Sequence, residues 1–363
     1  MKKFFQLIYL ILFLTLNFSC VEKKTSEKEF SKSKFVSTSM SDTLKFISGI
    51  RVIFQDSKGN YWLGSHEEGV SRFNGKAFEY FTTSEGLSDN QIRSIQEDKN
   101  GTIWFGTASG VSSYDARLQE GQGRRITNHT LFVNEFSPNN WIKIADDLWF
   151  NAGNNAGVYR YDGQKINYLV FPAPGNANPD NRYSTTSIAE GKNDVLWFGT
   201  YPAVFGFNGH QFAEVITDET LGLNEETGQL HVRSVFEDSK GRLWIGNNGI
   251  GVLLKEQDSI INFSEQYNLI HPASIRSGAK SPAGTLEHVF AIEEDADGNI
   301  WFGDRDTGAW KYDGTTMTNY VIDKKLKSQM IWSIYTDNDN NLLFGMAEGG
   351  VYMFNGKSFD LLF

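Results

Sequence analysis

A block of sixteen residues returns along the chain, and this repeat constrains the fold more than any other feature. The block IRVIFQDSKGNYWLGS at residues 50–65 returns as IRSIQEDKNGTIWFGT at 92–107, VRSVFEDSKGRLWIGN at 232–247 and VFAIEEDADGNIWFGD at 289–304. A last copy, IWSIYTDNDNNLLFGM, occupies 331–346, and two weaker copies lie at 141–152 and 186–200. The aligned positions are Trp62, Trp104, Trp149, Trp197, Trp244, Trp301 and Leu343. Seven strand-rich units at spacings of 42 to 57 residues predict an all-β fold, a seven-bladed β-propeller with four antiparallel strands per blade.

The second unit illustrates the expected blade. We expect strand A at 92–97, a turn at 98–101, strand B at 102–106 and strand C at 110–114. Most units join strand C to strand D through Asn-Gly or Asp-Gly, a pair that predicts a type I′ hairpin with positive φ at both residues. The strand B tryptophans are expected to pack between blades. The Asp-x-x-Gly turns fit hairpins better than calcium loops, because no bidentate acid follows them at the required spacing.

Composition and charge exclude several functions. The chain has 363 residues, a formal net charge of −10 and one cysteine. The acidic balance argues against a nucleic-acid partner. A lone cysteine leaves no internal disulfide framework and no cysteine-based zinc cluster. We therefore predict neither a metal nor another cofactor.

The N-terminus has the pattern of an export signal. Lys2 and Lys3 precede a short apolar run at residues 4–18, which is typical of a secretory signal. Cys20 follows in LNFSC, which resembles the lipobox of bacterial lipoproteins; a free cysteine beside an ordinary signal peptide is the alternative. We expect a signal peptide at 1–19, a lipid-anchored polar linker at 20–34 and the propeller at 35–363. The expected location is extracytoplasmic, in the periplasm or at the outer membrane, with the lipid as the membrane contact.

The run GLSDNQIRSIQEDKNGTIWFGTASGVSSYD at 86–115 resembles the two-component regulator propeller repeat. The resemblance rests on the leading Gly-Leu-Ser-x-Asn, the Asp-x-x-Gly turn and the Trp-x-Gly-Thr, and it extends to five of the seven units. It implies the periplasmic sensor portion of hybrid histidine kinases, which detect glycan fragments. Because the sequence contains no kinase motif, the expected protein is a stand-alone sensor module that acts with a membrane sensor or another protein partner.

The ligand is expected on the face that carries the B-to-C and D-to-A connections, here called the top face. Its connections at residues 170–183, 218–230 and 263–287 vary most, and variable loops on a repeated scaffold concentrate binding residues. One expected ring of side chains comes from strand A: Arg51, Arg93, Arg233, Phe290 and Trp332. A second comes from the B-to-C loops: His66, Glu67, Glu68, Asn154, Asn155, Tyr201, Asn248, Asp304, Arg305, Asp306 and Glu348.

From these rings we select Arg51, Arg93, Arg233, Phe290, Trp332, His66, Tyr201 and Arg305 as ligand-binding candidates. Guanidinium groups bind carboxylate or sulfate bidentately, and aromatic faces stack on sugar rings, so the set suits an acidic oligosaccharide or a similar small molecule. Pairing of each arginine with a neighbouring blade is the structural alternative.

Two other classes of function stay open. A propeller lyase or lactonase would need His and acid side chains that converge on the top face, where His66, His231 and His288 are expected. We otherwise interpret the six histidines as surface or loop residues and predict no catalytic residue. The third class is a protein-interaction scaffold that uses the same face. Ring closure is also open: residues 35–39 could add an outer strand or serve as linker.

Overall fold

The computed structural model describes residues 41–117, 125–129, 141–172, 180–272 and 280–363. The expected signal peptide at 1–19, Cys20, the linker at 20–34 and residues 35–39 lie outside these ranges. Within the described ranges, no helix is long and apolar enough to cross a membrane.

Seven antiparallel sheets form the blades of a closed ring, which confirms the predicted seven-bladed propeller. Blades 1 to 3 contain β1 (Ile50–Gln55), β2 (Tyr61–Ser65), β3 (Val70–Phe73), β4 (Phe78–Phe81), β5 (Ile92–Glu97), β6 (Ile103–Thr107), β7 (Gly110–Tyr114), β8 (Ile126–His129), β9 (Leu148–Asn151), β10 (Val158–Tyr161) and β11 (Ile166–Leu169). Blades 4 and 5 contain β12 (Thr185–Glu190), β13 (Leu196–Thr200), β14 (Ala203–Phe207), β15 (Phe212–Thr217), β16 (Val232–Glu237), β17 (Leu243–Asn247), β18 (Val252–Glu256) and β19 (Ser259–Asn262). Blades 6 and 7 contain β20 (Val289–Glu294), β21 (Ile300–Asp304), β22 (Gly308–Tyr312), β23 (Met317–Tyr320), β24 (Ile331–Thr336), β25 (Leu342–Met346), β26 (Val351–Phe354) and β27 (Phe359–Leu361).

The first strands of neighbouring blades contact one another around the axis, and β1 contacts β24. Six blades have four strands, whereas the third has three in the part of the chain that the structure describes, β9, β10 and β11. In that blade β9, a B-type strand, contacts β5 and β12. Two short helices, α1 (Asp218–Leu221) and α2 (Phe263–Gln266), lie in the top connections of blades 4 and 5.

The strand B tryptophan and the turn aspartate act as one unit on the bottom face. The Trp62 indole Nε1 donates to Asp56 Oδ2 at 2.8 Å, while Asp56 Oδ1 accepts from two backbone N–H groups of its own turn. The same bond joins three further pairs: Trp104 and Asp98, Trp244 and Asp238, and Trp301 and Asp295. We call this arrangement the Asp–Trp clamp. It positions a large buried ring and satisfies a buried carboxylate together.

The C-to-D turns differ from the predicted type I′ form. Gly75 has a φ of 85°, but the φ of Asn74 is not positive. Asn74 pairs with Ala77, so Gly75 occupies the first central position of a two-residue loop, the pattern of a type II′ turn. The Asn74 side chain accepts hydrogen bonds from the backbone of Lys76 and Ala77 instead. The type I′ prediction was therefore wrong, because asparagine is used here for its acceptor and not for its φ.

The ring closes between blades 1 and 7, and each of these blades is built from one continuous stretch of chain. Leu343 replaces the tryptophan of blade 7, and the Tyr61 hydroxyl of blade 1 donates to Asp337 Oδ2 at 2.6 Å in its place. Phe363 packs its ring against Tyr61 and Phe73, and Ser333 Oγ donates to the carbonyl of Ile50. We call this contact the seam; it is held by side chains.

Candidate functional site

Seven of the eight predicted binding residues line one central cavity of about 600 Å³. We call this set the mouth: Arg51, His66, Arg93, Tyr201, Arg233, Phe290 and Trp332. The strand A members are each the second residue of their strand, where a shift in register marks a bulge in the pairing with strand B. Bulges re-aim side chains at barrel and sheet rims, and this one recurs around the axis.

Arg51, His66 and Trp332 form a stack across the seam. The Arg51 guanidinium lies 4.8 Å from the centre of the Trp332 ring, and the His66 imidazole stacks on the same ring at 5.4 Å. Arg51 Nη1 lies 3.2 Å from His66 Nδ1. Burial and the charge of Arg51 both lower the pKa of His66, so its ring is neutral and can accept a hydrogen bond from the guanidinium.

Arg93 joins blades 2 and 3 at the top face. Its guanidinium donates to the carbonyl of Gly153 at 2.6 Å, to Asn154 Oδ1 at 3.0 Å and to Gln91 Oε1 at 3.0 Å. All three acceptors are neutral. The fold therefore fixes the position of the Arg93 guanidinium but does not neutralise its charge.

Arg233 lies between two aromatic rings. Its guanidinium is 5.1 Å from the centre of the Tyr201 ring and 4.9 Å from that of Phe290. Its Nε is buried and has no hydrogen-bond partner among the described residues. Contacts of this kind orient a guanidinium and leave donors free for a ligand.

The mouth has an unbalanced positive charge. Within the described ranges, Arg51, Arg93 and Arg233 form no ion pair with a carboxylate. Burial, followed by the charges of Arg93 and Arg233, lowers the pKa of Arg51 to about 10. All three guanidiniums stay charged at neutral pH, so the mouth favours an anion. Two carboxylates line the same cavity outside the mouth, Glu190 and Asp147, and Asp147 is paired with Arg160.

Arg305 lies outside the mouth. Its guanidinium donates to the neighbouring Asp306 carboxylate at 2.7 Å. Asp304 is fully buried, and its carboxylate accepts backbone hydrogen bonds from His288, Asp306 and Thr307. We had expected Asp304 to face the ligand; it instead organises the loop.

Two other loop candidates have different roles, one in the fold and one at the cavity. Glu68 accepts hydrogen bonds from the backbone of Ile47 and Ser48, which is a structural role. Asn154 contacts Arg93 and lines the cavity. Within the described ranges, no group of three His, Cys, Asp or Glu side chains is placed to hold a metal ion.

Sequence reasoning missed the burial of His288 and overlooked Gln91. His288 lies in the connection before β20, as predicted for a loop residue, but it is only 2% exposed. Gln91 lines the cavity and holds Arg93. Gln91, His231 and His288 each directly precede strand A, so the shared repeat position was the signal that could have identified them.

Comparisons with known proteins agree with this fold. The family model described as "Two component regulator propeller" matches residues 86–109, 228–249 and 285–306. No curated protein matches the sequence. The solved structures that resemble the chain include the extracellular domain of BT3049 from B. thetaiotaomicron, described as a hybrid two component system. That domain is 21% identical with a TM-score of 0.61, and the match covers 87% of this chain and 40% of that one.

Two further structures have the same architecture. The extracellular domain of BT4673 from B. thetaiotaomicron is 21% identical over 87% of this chain and 39% of that one, with a TM-score of 0.60. Virginiamycin B lyase from Staphylococcus aureus is 16% identical over 86% of this chain and 96% of that one, with a TM-score of 0.59. The chain thus spans about 40% of the length of the two sensor domains. Three segments of the chain thus match the two-component regulator propeller model, and the chain shares the propeller fold of the sensor domains.

Proposed function

We propose that this chain is an extracytoplasmic, sensor-type propeller whose mouth binds an acidic, glycan-derived ligand. The observation that carries the proposal is the convergence of three arginines without acidic partners and three aromatic rings on one cavity. Guanidinium groups suit carboxylate or sulfate, and the rings offer apolar faces to a sugar. A cavity of about 600 Å³ is within the usual size range of small-molecule sites.

The sensor part of the proposal draws on the relatives. BT3049 and BT4673 are described as extracellular domains of two component systems, and their fold is shared by this chain. We expect the signal to pass to a partner, such as a membrane sensor. In this proposal the propeller supplies recognition and the partner supplies signalling.

The anchor is the second part of the proposal. Cys20 would carry the lipid that holds the propeller at the membrane. We expect a Cys20→Ala variant of the full chain to be released into the soluble fraction, while the wild-type protein sediments with membranes. Retention of the variant on membranes would refute lipid attachment at Cys20.

Binding by the mouth is tested with Arg51→Gln and Arg93→Gln. A hydrogen bond to a charged group contributes about 1.5–3 kcal/mol, so each variant should bind an acidic oligosaccharide about ten- to a hundredfold more weakly in calorimetry. The matched control is Arg117→Gln, because Arg117 is exposed and paired with Asp115 away from the mouth. Equal affinities for all the variants and the wild type would overturn the assignment.

A catalytic role is the second candidate, and one observation favours it. The half-buried imidazole of His231 lies beside Tyr201 and Arg233, a base next to a guanidinium, and the fold resembles virginiamycin B lyase. Release of unsaturated product from uronate oligosaccharides, abolished in His231→Phe, would establish this role. If no saccharide binds and a protein co-purifies with the wild type but not with Arg51→Gln, the top face is a protein-interaction scaffold.

A further inference from the structure

Unpartnered polar atoms concentrate on one side of the mouth, in blades 5 and 6. The buried atoms without a hydrogen-bond partner in the described ranges include Arg233 Nε, His231 Nε2, Asn248 Oδ1 and both ring nitrogens of His288. Each such atom destabilises the ligand-free fold, because it has lost water without gaining a partner, so a group of them at one place needs an explanation.

These side chains are neighbours. The Asn248 backbone N–H donates to the carbonyl of His231 at 2.9 Å, and Asn248 forms an isolated β-bridge with His288. The His231 ring meets the Tyr201 ring edge-on at 4.8 Å. The cluster therefore borders the mouth at Tyr201 and Arg233.

A second cavity of about 440 Å³ opens at the same point. We call it the side compartment; its polar lining is Arg182, Tyr201, Asp218, Gln229, His231 and Arg233. Tyr201 and Arg233 line both cavities, so the side compartment continues the mouth outward between blades 4 and 5.

The two cavities differ in their hydrogen-bonding character. At the mouth three guanidiniums converge, whereas the side compartment places the Asp218 carboxylate, the Gln229 amide and the His231 imidazole beside Arg182 and Arg233. Burial, then the charges of Arg233 and His288, lowers the pKa of His231 to about 4, so its ring offers one donor and one acceptor at neutral pH.

This mixture of donors and acceptors favours an occupant that both donates and accepts hydrogen bonds. Sulfate, phosphate and carboxylate only accept hydrogen bonds, and they would face the Asp218 charge here. A hydroxyl group both donates and accepts, so it suits the carboxylate, the amide and the imidazole alike. A small rotation of the His231 ring, which is fast for a side chain, would present its unpartnered Nε2 to the hydroxyl group.

We infer that the side compartment binds the hydroxyl-bearing part of a ligand whose acid group is held by Arg51 and Arg93. The ligand is then an extended, polyhydroxylated acid of at least two units and not a compact inorganic anion. This inference rests on the proposed function of the mouth, and it adds the length, the orientation and the polarity of the ligand.

The test compares galacturonic acid, its trimer and sulfate by calorimetry on the wild-type protein and three variants. We expect the trimer to bind at least tenfold more tightly than the monomer. His231→Phe and Gln229→Ala should each reduce this gain about three- to tenfold and leave monomer affinity unchanged. Arg51→Gln should weaken monomer and trimer alike. Gln229 is exposed, so its variant keeps the test valid if His231→Phe unfolds.

The outcomes separate the two ideas. Equal affinity for monomer and trimer, or a trimer affinity that is unchanged in Gln229→Ala and in folded His231→Phe, overturns the side compartment. Binding of sulfate through Arg51 with no binding of either uronate overturns it as well and leaves an anion site at the mouth. If none of the three probes binds to the wild type, the proposed function of the mouth fails with it.

Discussion

The bottom face and the mouth both combine charged groups with aromatic rings, but they treat the charge differently. At the bottom, Asp238 accepts hydrogen bonds from the Trp244 indole, from two backbone N–H groups and from the Arg242 side chain. Burial raises the pKa of Asp238, but these bonds outweigh it and hold the pKa below its ordinary value. At the mouth, Arg233 lies against two rings with an unpartnered Nε.

This difference distinguishes the residues that stabilise the fold from the residues that form the candidate binding site. Charges that recur in four of the blades and find their partners inside the fold stabilise the propeller. Charges that meet at the axis without partners repel one another, and their arrangement is useful only when something else binds there. The four predictions below test this distinction in order of expected size.

The largest effect is expected at the Asp–Trp clamp. Asp238→Ala leaves the buried Trp244 indole, two backbone donors and Arg242 without their acceptor, and breaking a buried charged pair costs about 3–5 kcal/mol. Urea unfolding should show this loss, whereas the exposed Asp258→Ala should stay within about 0.5 kcal/mol of the wild type. Similar midpoints for the two variants would contradict the structural role of the clamp.

Glu293 is an exception among the acids of the inner strands, and its effect depends on pH. Burial and the neighbouring Glu294 raise its pKa to about 8, and it faces Thr336 and Tyr335 of blade 7. Between the unfolded pKa of about 4.5 and 8, the folded state binds more protons than the unfolded state. Stability contributed by this group is therefore lost as pH rises through that window.

Glu293→Gln removes the ionisation, so the variant should gain a few kcal/mol relative to the wild type on going from pH 4.5 to pH 8. Melting temperatures measured at both pH values provide the check. A difference between variant and wild type that does not change with pH would show that Glu293 titrates normally.

The seam should respond to loss of a single hydroxyl. Tyr61→Phe removes the donor to Asp337, which is 2.6 Å away, and should lower the unfolding free energy by about 1–3 kcal/mol. Tyr320→Phe is the matched control, because Tyr320 packs on Trp301 through its ring. Equal losses in the two variants would mean that packing alone closes the ring.

The smallest effect on stability is expected at the mouth. Arg51→Gln relieves repulsion by Arg93 and Arg233 and gives up the contacts with His66 and the Trp332 ring, so these changes offset and the unliganded melting temperature should stay within about 2 °C or rise. A marked fall in melting temperature would make Arg51 a structural residue and would contradict the conclusion that the mouth charges, unlike those of the bottom face, do not stabilise the fold.

The repeat predicted most of the fold because the same physical requirement recurs in every blade. Strands such as Ile92–Glu97 and Gly110–Tyr114 were predicted to the residue, since apolar alternation and turns define them locally. The Tyr61 to Asp337 bond was beyond prediction, because it joins positions 276 residues apart and compensates for a single substituted tryptophan. A hydrogen bond between residues so far apart in the chain leaves no local pattern in the sequence.

The site was predicted in outline for a similar reason. Equivalent positions in a repeat converge on the axis, so Arg51, Arg93 and Arg233 could be grouped from their place in strand A alone. What each guanidinium contacts depends on the neighbouring blade, and those partners are not repeated. The burial of His288 and the backbone hydrogen bonds that Asp304 accepts depend on such local contacts, which the repeat pattern does not show.

The seam has a consequence for how binding and stability are linked. A ring whose first and last blades meet through side chains is mechanically a split ring, and it opens at the split when the two ends separate. Arg51 and His66 stand on one side of the split, and Trp332 stands on the other. A ligand that contacts residues on both sides bridges the opening. Occupancy of the mouth would therefore first oppose the separation of blade 1 from blade 7.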